Sequence, residues 1–134
     1  MSQITILLVD DHDAARRELA ARLEREPDLQ IVAQVAALAD ARVASATLQP
    51  RVILADVKRR DGLGIELIRH LRLTAPDASL IVLTSFFDER ERAAVLKFGA
   101  SAYLLKEVDT QQLVAEIKKQ AKYSKGEGAP WVQV

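Results

Sequence analysis

Three acidic side chains, a threonine and a lysine stand where short apolar stretches of the sequence end. Asp10 and Asp11 follow the first stretch, Asp56 ends the second, Thr84 ends the third, and Lys106 follows the last. Apolar runs of this length are typical of buried β-strands. Because the carboxyl ends of parallel strands lie along one edge of a sheet, we expect these five side chains to converge.

Such a group of side chains could transfer a phosphoryl group. Neighbouring carboxylates repel one another, and a hard divalent cation would hold them together. Oxygen ligands without cysteine favour Mg2+ over zinc. Asp56 could then attack a phosphoryl donor and become an acyl phosphate. Thr84 would donate its hydroxyl proton to a phosphoryl oxygen, and Lys106 would contact another as a point charge.

Composition excludes several other classes of protein. The 134 residues, 49% of them hydrophobic, suffice for one core but not for two typical domains. Lys plus Arg and Asp plus Glu number 19 each, so no overall field would attract nucleic acid or an anionic membrane. There is no cysteine, and no apolar run approaches the about 20 residues of a spanning helix. We expect a cytoplasmic protein.

Helical periodicity separates the apolar stretches. It predicts helices over residues 13–25, 37–48 and 65–73, a fourth that starts at Asp88, and a fifth that starts at Asp109. Asp88 with Glu91, and Asp109 with Gln112, have the spacing of capping boxes, and Gly99 is a stop signal. Residues 29–35 are predicted to form a further strand, at the edge of the sheet.

Five strands alternating with five helices predict one α/β domain over residues 1–122. Right-handed crossovers would give a doubly wound parallel sheet with helices on both faces. Residues 123–134 contain glycines, a proline and Trp131 without periodicity, which predicts a tail or linker. His12 is expected at the start of the first helix and His70 on a helix surface, both facing solvent.

The chain resembles the receiver domains of bacterial response regulators over residues 4 to about 122. The matching motifs are residues 7–12, 52–56, 64–67, 81–84 and 99–106. The resemblance implies a flavodoxin-like five-stranded sheet of order 2-1-3-4-5 in which a sensor histidine kinase phosphorylates Asp56. It also implies that Asp10, Asp11, Asp56 and the main-chain carbonyl of Lys58 hold Mg2+.

The resemblance also implies a switch. Thr84 and Lys106 match the switch hydroxyl and the phosphate-binding lysine of the family, and Tyr103 matches the aromatic residue that turns inward on activation. The surface of the fourth helix, fifth strand and fifth helix would change, and the family often forms homodimers through it. Leu96, Phe98, Tyr103 and Val114 are candidates for that surface, although core packing is the expected role of most of them.

The output of the switch is less defined. The first and last motifs are most similar to regulators with a helix-turn-helix output domain of the LuxR/NarL type, which would control transcription. The present sequence contains no helix-turn-helix or other element that reads DNA, so DNA would be bound only by a further domain. The tail is either the linker to that domain or the end of a stand-alone receiver. In both cases the chain is a signalling module and not a metabolic enzyme.

The sequence departs from the family pattern beside the predicted site. Arg59 and Arg60 replace the usual Met-Pro; they either attract phosphodonors and alter kinase docking or point to solvent. Glu107 follows Lys106 where proline is common, which disfavours a cis bond because a non-proline cis bond costs about 3 kcal/mol. Lys58 and Phe86 are predicted to tune the lifetime of the acyl phosphate by shielding it from water.

Three other functions could use the same residues or architecture. A flavin site would place a phosphate beside Asp10 and Asp11, which would repel it. An aspartyl phosphatase typically has an acid/base carboxylate two residues after the nucleophile, where this chain has Lys58. The third alternative is a receiver-like interaction domain that works without phosphorylation. The altered loop after Asp56 keeps this alternative open.

Overall fold

The computed structural model describes residues 3–122, which form a five-stranded sheet between two layers of helices. The elements are β1 (Ile4–Val9), α1 (Asp13–Glu24), β2 (Leu29–Val35), α2 (Leu38–Leu48), β3 (Val52–Asp56), α3 (Gly64–Thr74), β4 (Ser79–Thr84), α4 (Glu89–Lys97), β5 (Ala102–Leu105) and α5 (Thr110–Ala121). All strand pairs are parallel, in the order β2-β1-β3-β4-β5. The predicted fold and strand order are confirmed. The predicted tail, residues 123–134, lies outside the described residues.

Both faces of the sheet are covered by helices. Successive side chains of a strand point to opposite faces. Along β1, Leu7 and Val9 therefore pack with residues of α3 and α4, while Ile6 and Leu8 pack with residues of α1 and α5. Burial on two sides explains why the strands are almost continuously apolar. The sheet is thus a rigid base for the polar groups at its carboxyl edge.

The predicted helix boundaries agree with the structure to within about two residues. α3 begins at Gly64, one residue earlier than predicted. A Cβ at this position would clash with the Val57 carbonyl oxygen, which explains why the residue is a glycine. α4 ends at Lys97, and Gly99 follows with a φ of +111°, as its predicted role as a stop requires. No helix within residues 3–122 has both the length and the apolarity to cross a membrane.

The capping boxes are only half formed. Asp88 accepts hydrogen bonds from the amides of Arg90 and Glu91, and Asp109 accepts one from the amide of Gln112. In a complete box the Glu91 side chain would return to the amide of Asp88. That amide donates instead to the Tyr103 hydroxyl, at 3.1 Å. The Glu91 carboxylate is therefore free to contact other groups, which are described below.

Candidate functional site

Strand register brings three of the predicted side chains, Asp10, Asp56 and Lys106, together at the carboxyl edge of the sheet. β1 pairs with β3 so that Val9 lies opposite Ala55, which places the next residues, Asp10 and Asp56, side by side. The Lys106 Nζ, after β5, lies 2.8 Å from Asp10 Oδ2 and 2.6 Å from Asp56 Oδ2. Asp56 is 2% exposed. A buried pair of carboxylates bridged by one ammonium group is the centre of the site.

The two carboxylates differ in acidity. Burial raises the pKa of Asp56 above its ordinary value, and hydrogen bonds from Lys106 and from the Lys58 amide offset this only in part. Burial also acts on Asp10, but hydrogen bonds from Lys106 and His12 outweigh it and lower the pKa. Hydrogen bonds to both acids outweigh burial at Lys106 and raise its pKa. Lys106 is therefore positively charged at neutral pH.

Asp11 also lies at this edge, and only one of its two carboxylate oxygens accepts a hydrogen bond from the described residues. Its Oδ2 accepts a hydrogen bond from the amide of Arg60 at 2.8 Å. Its Oδ1 is buried and accepts no well-formed hydrogen bond from residues 3–122, although the His12 Nδ1 lies 3.3 Å away. An unsatisfied buried carboxylate oxygen is costly, and a cation would satisfy it.

His12 does not simply face solvent as predicted, because its side chain is only partly exposed, at 36%. It precedes α1, as expected, but its ring turns towards the acids: Nδ1 lies 2.8 Å from Asp10 Oδ1 and 3.5 Å from Asp56 Oδ2. One nitrogen and two carboxylates thus surround a common point. The prediction was wrong because it considered the helix alone. The position of His12 two residues after Asp10 was the signal that could have indicated this contact.

The loop after Asp56 adds contacts that differ along its length. The Lys58 amide donates to Asp56 Oδ1 at 2.7 Å, and this bond orients the carboxylate. The Arg59 side chain is 2% exposed and pairs with Asp61 at 2.9 Å, so the alternative in which both arginines point to solvent is wrong for Arg59. Arg60 is exposed.

The predicted switch residues meet at an unpredicted carboxylate. Thr84 is fully buried, and its Oγ1 lies 3.1 Å from Glu91 Oε1. The Tyr103 hydroxyl donates to the same oxygen at 2.6 Å. Burial and this hydrogen bond raise the pKa of Tyr103. The sequence pattern assigned Glu91 to a helix cap, and no local signal distinguishes that role from this one.

Two further predictions concern neighbouring residues. The described residues contain no cis peptide bond, so the bond between Lys106 and Glu107 is trans, in line with the missing proline. Core packing is also confirmed for the apolar candidates around α4 and α5. Val114 is buried, and Leu96, Phe98 and Tyr103 are partly buried against the core.

A doubly wound sheet of this order, with buried acids bridged by a lysine at its carboxyl edge, defines the class of phosphoacceptor signalling domains. The chain belongs to the response regulator receiver domain family, whose model matches residues 6–118. It is a signalling module of this family.

The chain is similar to parts of characterised regulators. It is 33% identical over 115 residues to the DNA-binding transcriptional activator DevR/DosR of Mycobacterium tuberculosis, covering 86% of this chain and 53% of that protein. It is 34% identical over 119 residues to the transcriptional regulatory protein LiaR of Bacillus subtilis, covering 89% of this chain and 56% of that protein. The chain thus spans about half the length of these relatives.

Solved structures agree with this assignment. A two-component response regulator of the LuxR family from Aurantimonas sp. SI85-9A1 superposes with a TM-score of 0.83 at 28% identity, over 90% of this chain and 86% of that one. The signal receiver domain of the putative response regulator NarL from Mycobacterium tuberculosis superposes with a TM-score of 0.84 over 91% of this chain and 98% of that one. The latter is 19% identical and shows the fold alone.

Proposed function

We propose that this domain is a switch controlled by phosphorylation of Asp56. The main support for the proposal is the pair of ion pairs that Lys106 makes with Asp10 and Asp56, which places an ammonium group beside a buried carboxylate. An Asp56 oxygen would attack the phosphorus of a donor. The bond between phosphorus and the donor atom would break, and the donor would leave with the electron pair, giving an acyl phosphate on Asp56.

The neighbouring groups would assist in different ways. The Lys58 amide already holds Asp56 Oδ1, which orients the carboxylate. Lys106 would transfer its hydrogen bond from Asp56 to a phosphoryl oxygen. There its positive charge would stabilise the negative charge that develops in the transition state. Thr84 would donate to another phosphoryl oxygen, which requires its hydroxyl to leave its present partners.

The acids of the site fit Mg2+. Their donor atoms are all carboxylate oxygens, the ligands that Mg2+ prefers. Among the described residues, the buried Asp11 Oδ1 accepts no hydrogen bond and has a 3.3 Å contact with the His12 Nδ1, so it is available to a cation. We assign the ligand role to Asp10, Asp11, Asp56 and the main-chain carbonyl of Lys58. When bound, Mg2+ supplies positive charge and a template for the phosphoryl oxygens.

The test of this proposal is phosphorylation by a small molecule. The protein is incubated with Mg2+ and a small acyl-phosphate donor, and its intact mass is measured. We expect one phosphoryl adduct that disappears in Asp56→Asn and when Mg2+ is chelated. A receiver of known activity serves as the positive control. Absence of an adduct under conditions that label this control would contradict the proposal and support the interaction domain that works without phosphorylation.

The partners follow from the proposed chemistry and from the relatives. A sensor histidine kinase would be the physiological donor, its phosphohistidine losing the bond between phosphorus and nitrogen. DevR/DosR is a DNA-binding transcriptional activator, and we propose that this domain likewise controls transcription, with DNA bound by a further domain. The cytoplasmic location expected from the sequence stays a prediction.

Two side chains beside Asp56 are proposed to set the lifetime of the phosphorylated state. The Lys58 Nζ lies 5.9 Å from the centre of the Phe86 ring, so these side chains meet near the opening of the site. Phe86 is 70% exposed. Together they would limit the access of water to the acyl phosphate. Arg60, whose amide contacts Asp11 and whose side chain is exposed, would add positive charge for an anionic donor.

A further inference from the structure

The Glu91 carboxylate joins three polar groups that come from three different elements. Its Oε1 lies 3.1 Å from the Thr84 hydroxyl and 2.6 Å from the Tyr103 hydroxyl. Its Oε2 lies 3.0 Å from the Lys58 Nζ. The Glu91 side chain is 15% exposed. We call these four residues the Glu91 cluster. α4, which carries Glu91, is thereby tied to the ends of β4 and β5 and to the loop after β3.

The contacts of the cluster compete with the proposed reaction. The Thr84 hydroxyl has a single proton, and both its alternative acceptors, Glu91 Oε1 and the Phe86 carbonyl at 2.9 Å, lie away from Asp56. Whichever of these acceptors receives the proton, that hydrogen bond must break before Thr84 can donate to a phosphoryl oxygen. Tyr103 is held in its present position by the same Glu91 oxygen. One carboxylate therefore restrains both predicted switch residues.

We propose that Glu91 is a positioning residue that stabilises the unphosphorylated arrangement of the switch. The inference rests on the proposed function of Asp56. A phosphoryl group on Asp56 would bring about −1.5 to −2 charges and new acceptor oxygens, which would attract the Thr84 hydroxyl and the Lys58 ammonium. Glu91 would lose two of its three partners, and the balance between the two arrangements of Tyr103 and α4 would shift.

The structure also indicates how to separate this role from simple electrostatics. Glu91→Gln keeps the shape of the side chain and removes its charge. Glu91→Asp keeps the charge and shortens the side chain by one methylene, so that it no longer reaches all three partners. Glu89→Gln is a matched control, because Glu89 lies in the same turn of α4, is exposed, and pairs with Arg92 at 3.1 Å.

The first measurement is the initial rate at which Asp56 is labelled by a small acyl-phosphate donor with Mg2+. A form that is only partly populated reacts in proportion to its population. We therefore expect Glu91→Gln and Glu91→Asp to be labelled about threefold to tenfold faster than the unmodified protein. Glu89→Gln should be labelled at the unmodified rate. Thermal unfolding of each variant reports whether the fold is intact.

The second measurement does not depend on phosphorylation. The sequence contains two tyrosines, Tyr103 and Tyr123, so in a Tyr123→Phe background the ultraviolet titration reports the Tyr103 phenol alone. Burial and the Glu91 hydrogen bond raise the pKa of Tyr103. Glu91→Gln should lower this pKa because the repulsion between phenolate and carboxylate is lost. Glu89→Gln should leave it unchanged.

The outcomes separate this inference from the proposed function. Labelling of the unmodified protein, with equal rates for both Glu91 variants, would overturn the inference alone. Faster labelling of Glu91→Gln but not of Glu91→Asp would assign the effect to charge and would also overturn it, as would a Tyr103 pKa that Glu91→Gln does not change. If the unmodified protein is not labelled, the function of Asp56 fails and this inference fails with it.

Discussion

At the scale of single residues, Asp10 and Asp56 show how position decides the properties of identical side chains. They lie side by side and share Lys106, yet the pKa of Asp10 is lowered and that of Asp56 is raised. Burial penalises both charges. Asp10 offsets this penalty with additional hydrogen bonds from His12, while Asp56 also experiences the negative charge of Asp10. A carboxylate that is held charged at some cost to the fold is suited to react.

The raised pKa of Asp56 leads to a prediction about stability and pH. Since its pKa is higher in the folded than in the unfolded state, the stabilising contribution of the protonated form is complete below the unfolded pKa and is lost as the pH rises through the folded pKa. Ionisation of Asp56 therefore lowers the stability of the fold once the pH exceeds the folded pKa. Asp56→Asn should raise the free energy of unfolding at neutral pH, and the gain should shrink towards acid pH, as measured by urea unfolding.

Asp61 is a control for this experiment, because its pKa is shifted in the opposite direction from that of Asp56. Its pKa is lowered by hydrogen bonds from Arg59 and from the Leu63 amide, so its contribution to stability is present above the unfolded pKa and is lost as the pH falls through the folded one. Asp61→Asn should therefore destabilise the protein at neutral pH. A neutral-pH loss of stability in Asp56→Asn would contradict the prediction for Asp56.

At the scale of elements, Arg72 in α3 fastens the parts of the fold that lie opposite the functional edge. Its guanidinium donates to the carbonyls of Pro76 at 3.0 Å, Ala78 at 2.7 Å and Gly99 at 2.7 Å. These carbonyls belong to the segments before β4 and before β5. Burial lowers the pKa of Arg72 to about 10, which still leaves it charged at neutral pH.

Removing the Arg72 guanidinium should lower the free energy of unfolding. Arg72→Met keeps much of the apolar stem but leaves part-buried carbonyl oxygens without donors, each of which costs about 1–3 kcal/mol. We expect a loss of about 2–4 kcal/mol in the free energy of unfolding, measured by urea denaturation. Arg72→Lys should recover only part of this loss, because an ammonium group lacks the planar fork.

Arg69 supplies the matched control on the same helix. It is exposed, and its guanidinium lies 5.2 Å from the centre of the Phe98 ring, a contact worth about 0.5–1 kcal/mol at an exposed site. Arg69→Met should therefore cost no more than about 1 kcal/mol. If Arg69→Met and Arg72→Met lower the free energy of unfolding equally, the hydrogen bonds of Arg72 do not stabilise the fold as described.

At the scale of the whole molecule, the surface formed by α4, β5 and α5 has apolar residues without a covering element among residues 3–122. Phe87 is 48% exposed and Leu105 is 38% exposed, and both line a groove with Tyr103 and Val108. Phe87 also contacts Tyr103 edge to face, with ring centres 5.4 Å apart. A change at Tyr103 would therefore reach this groove directly.

We predict that phosphorylation promotes a homodimer through this surface. With Mg2+ and beryllofluoride as a phosphoryl mimic, sedimentation should show a monomer that shifts towards a dimer. Leu105→Glu should weaken this association about tenfold or more, because it places a charge in the apolar contact. Leu73→Glu is the matched control: it is the same substitution on α3, at a leucine that is 78% exposed and lies outside the groove.

Two results would contradict this prediction. A dimer that tolerates Leu105→Glu but is lost in Leu73→Glu would place the interface on another face. A protein that binds beryllofluoride and stays monomeric would exclude the homodimer as the output of this domain.

The fold and the positions of most site residues could be predicted from the order and periodicity of the amino acids alone. Alternating apolar strands and amphipathic helices specify a doubly wound sheet, because each element must bury its apolar side against the others. The position of Asp10, Asp56, Thr84 and Lys106 at the ends of strands then follows from topology. These features depend on periodicity and on chain order, which are present in the sequence.

The orientations of three side chains could not be predicted without the folded chain. Glu91 has the spacing of a helix cap and contacts Thr84 and Tyr103 instead; His12 turns to the acids; Arg59 is buried against Asp61. Two of these side chains also reach partners that are distant in the chain: Glu91 contacts Lys58, and His12 contacts Asp56. Long polar side chains have several rotamers of similar energy, and the partner that the fold brings near selects among them.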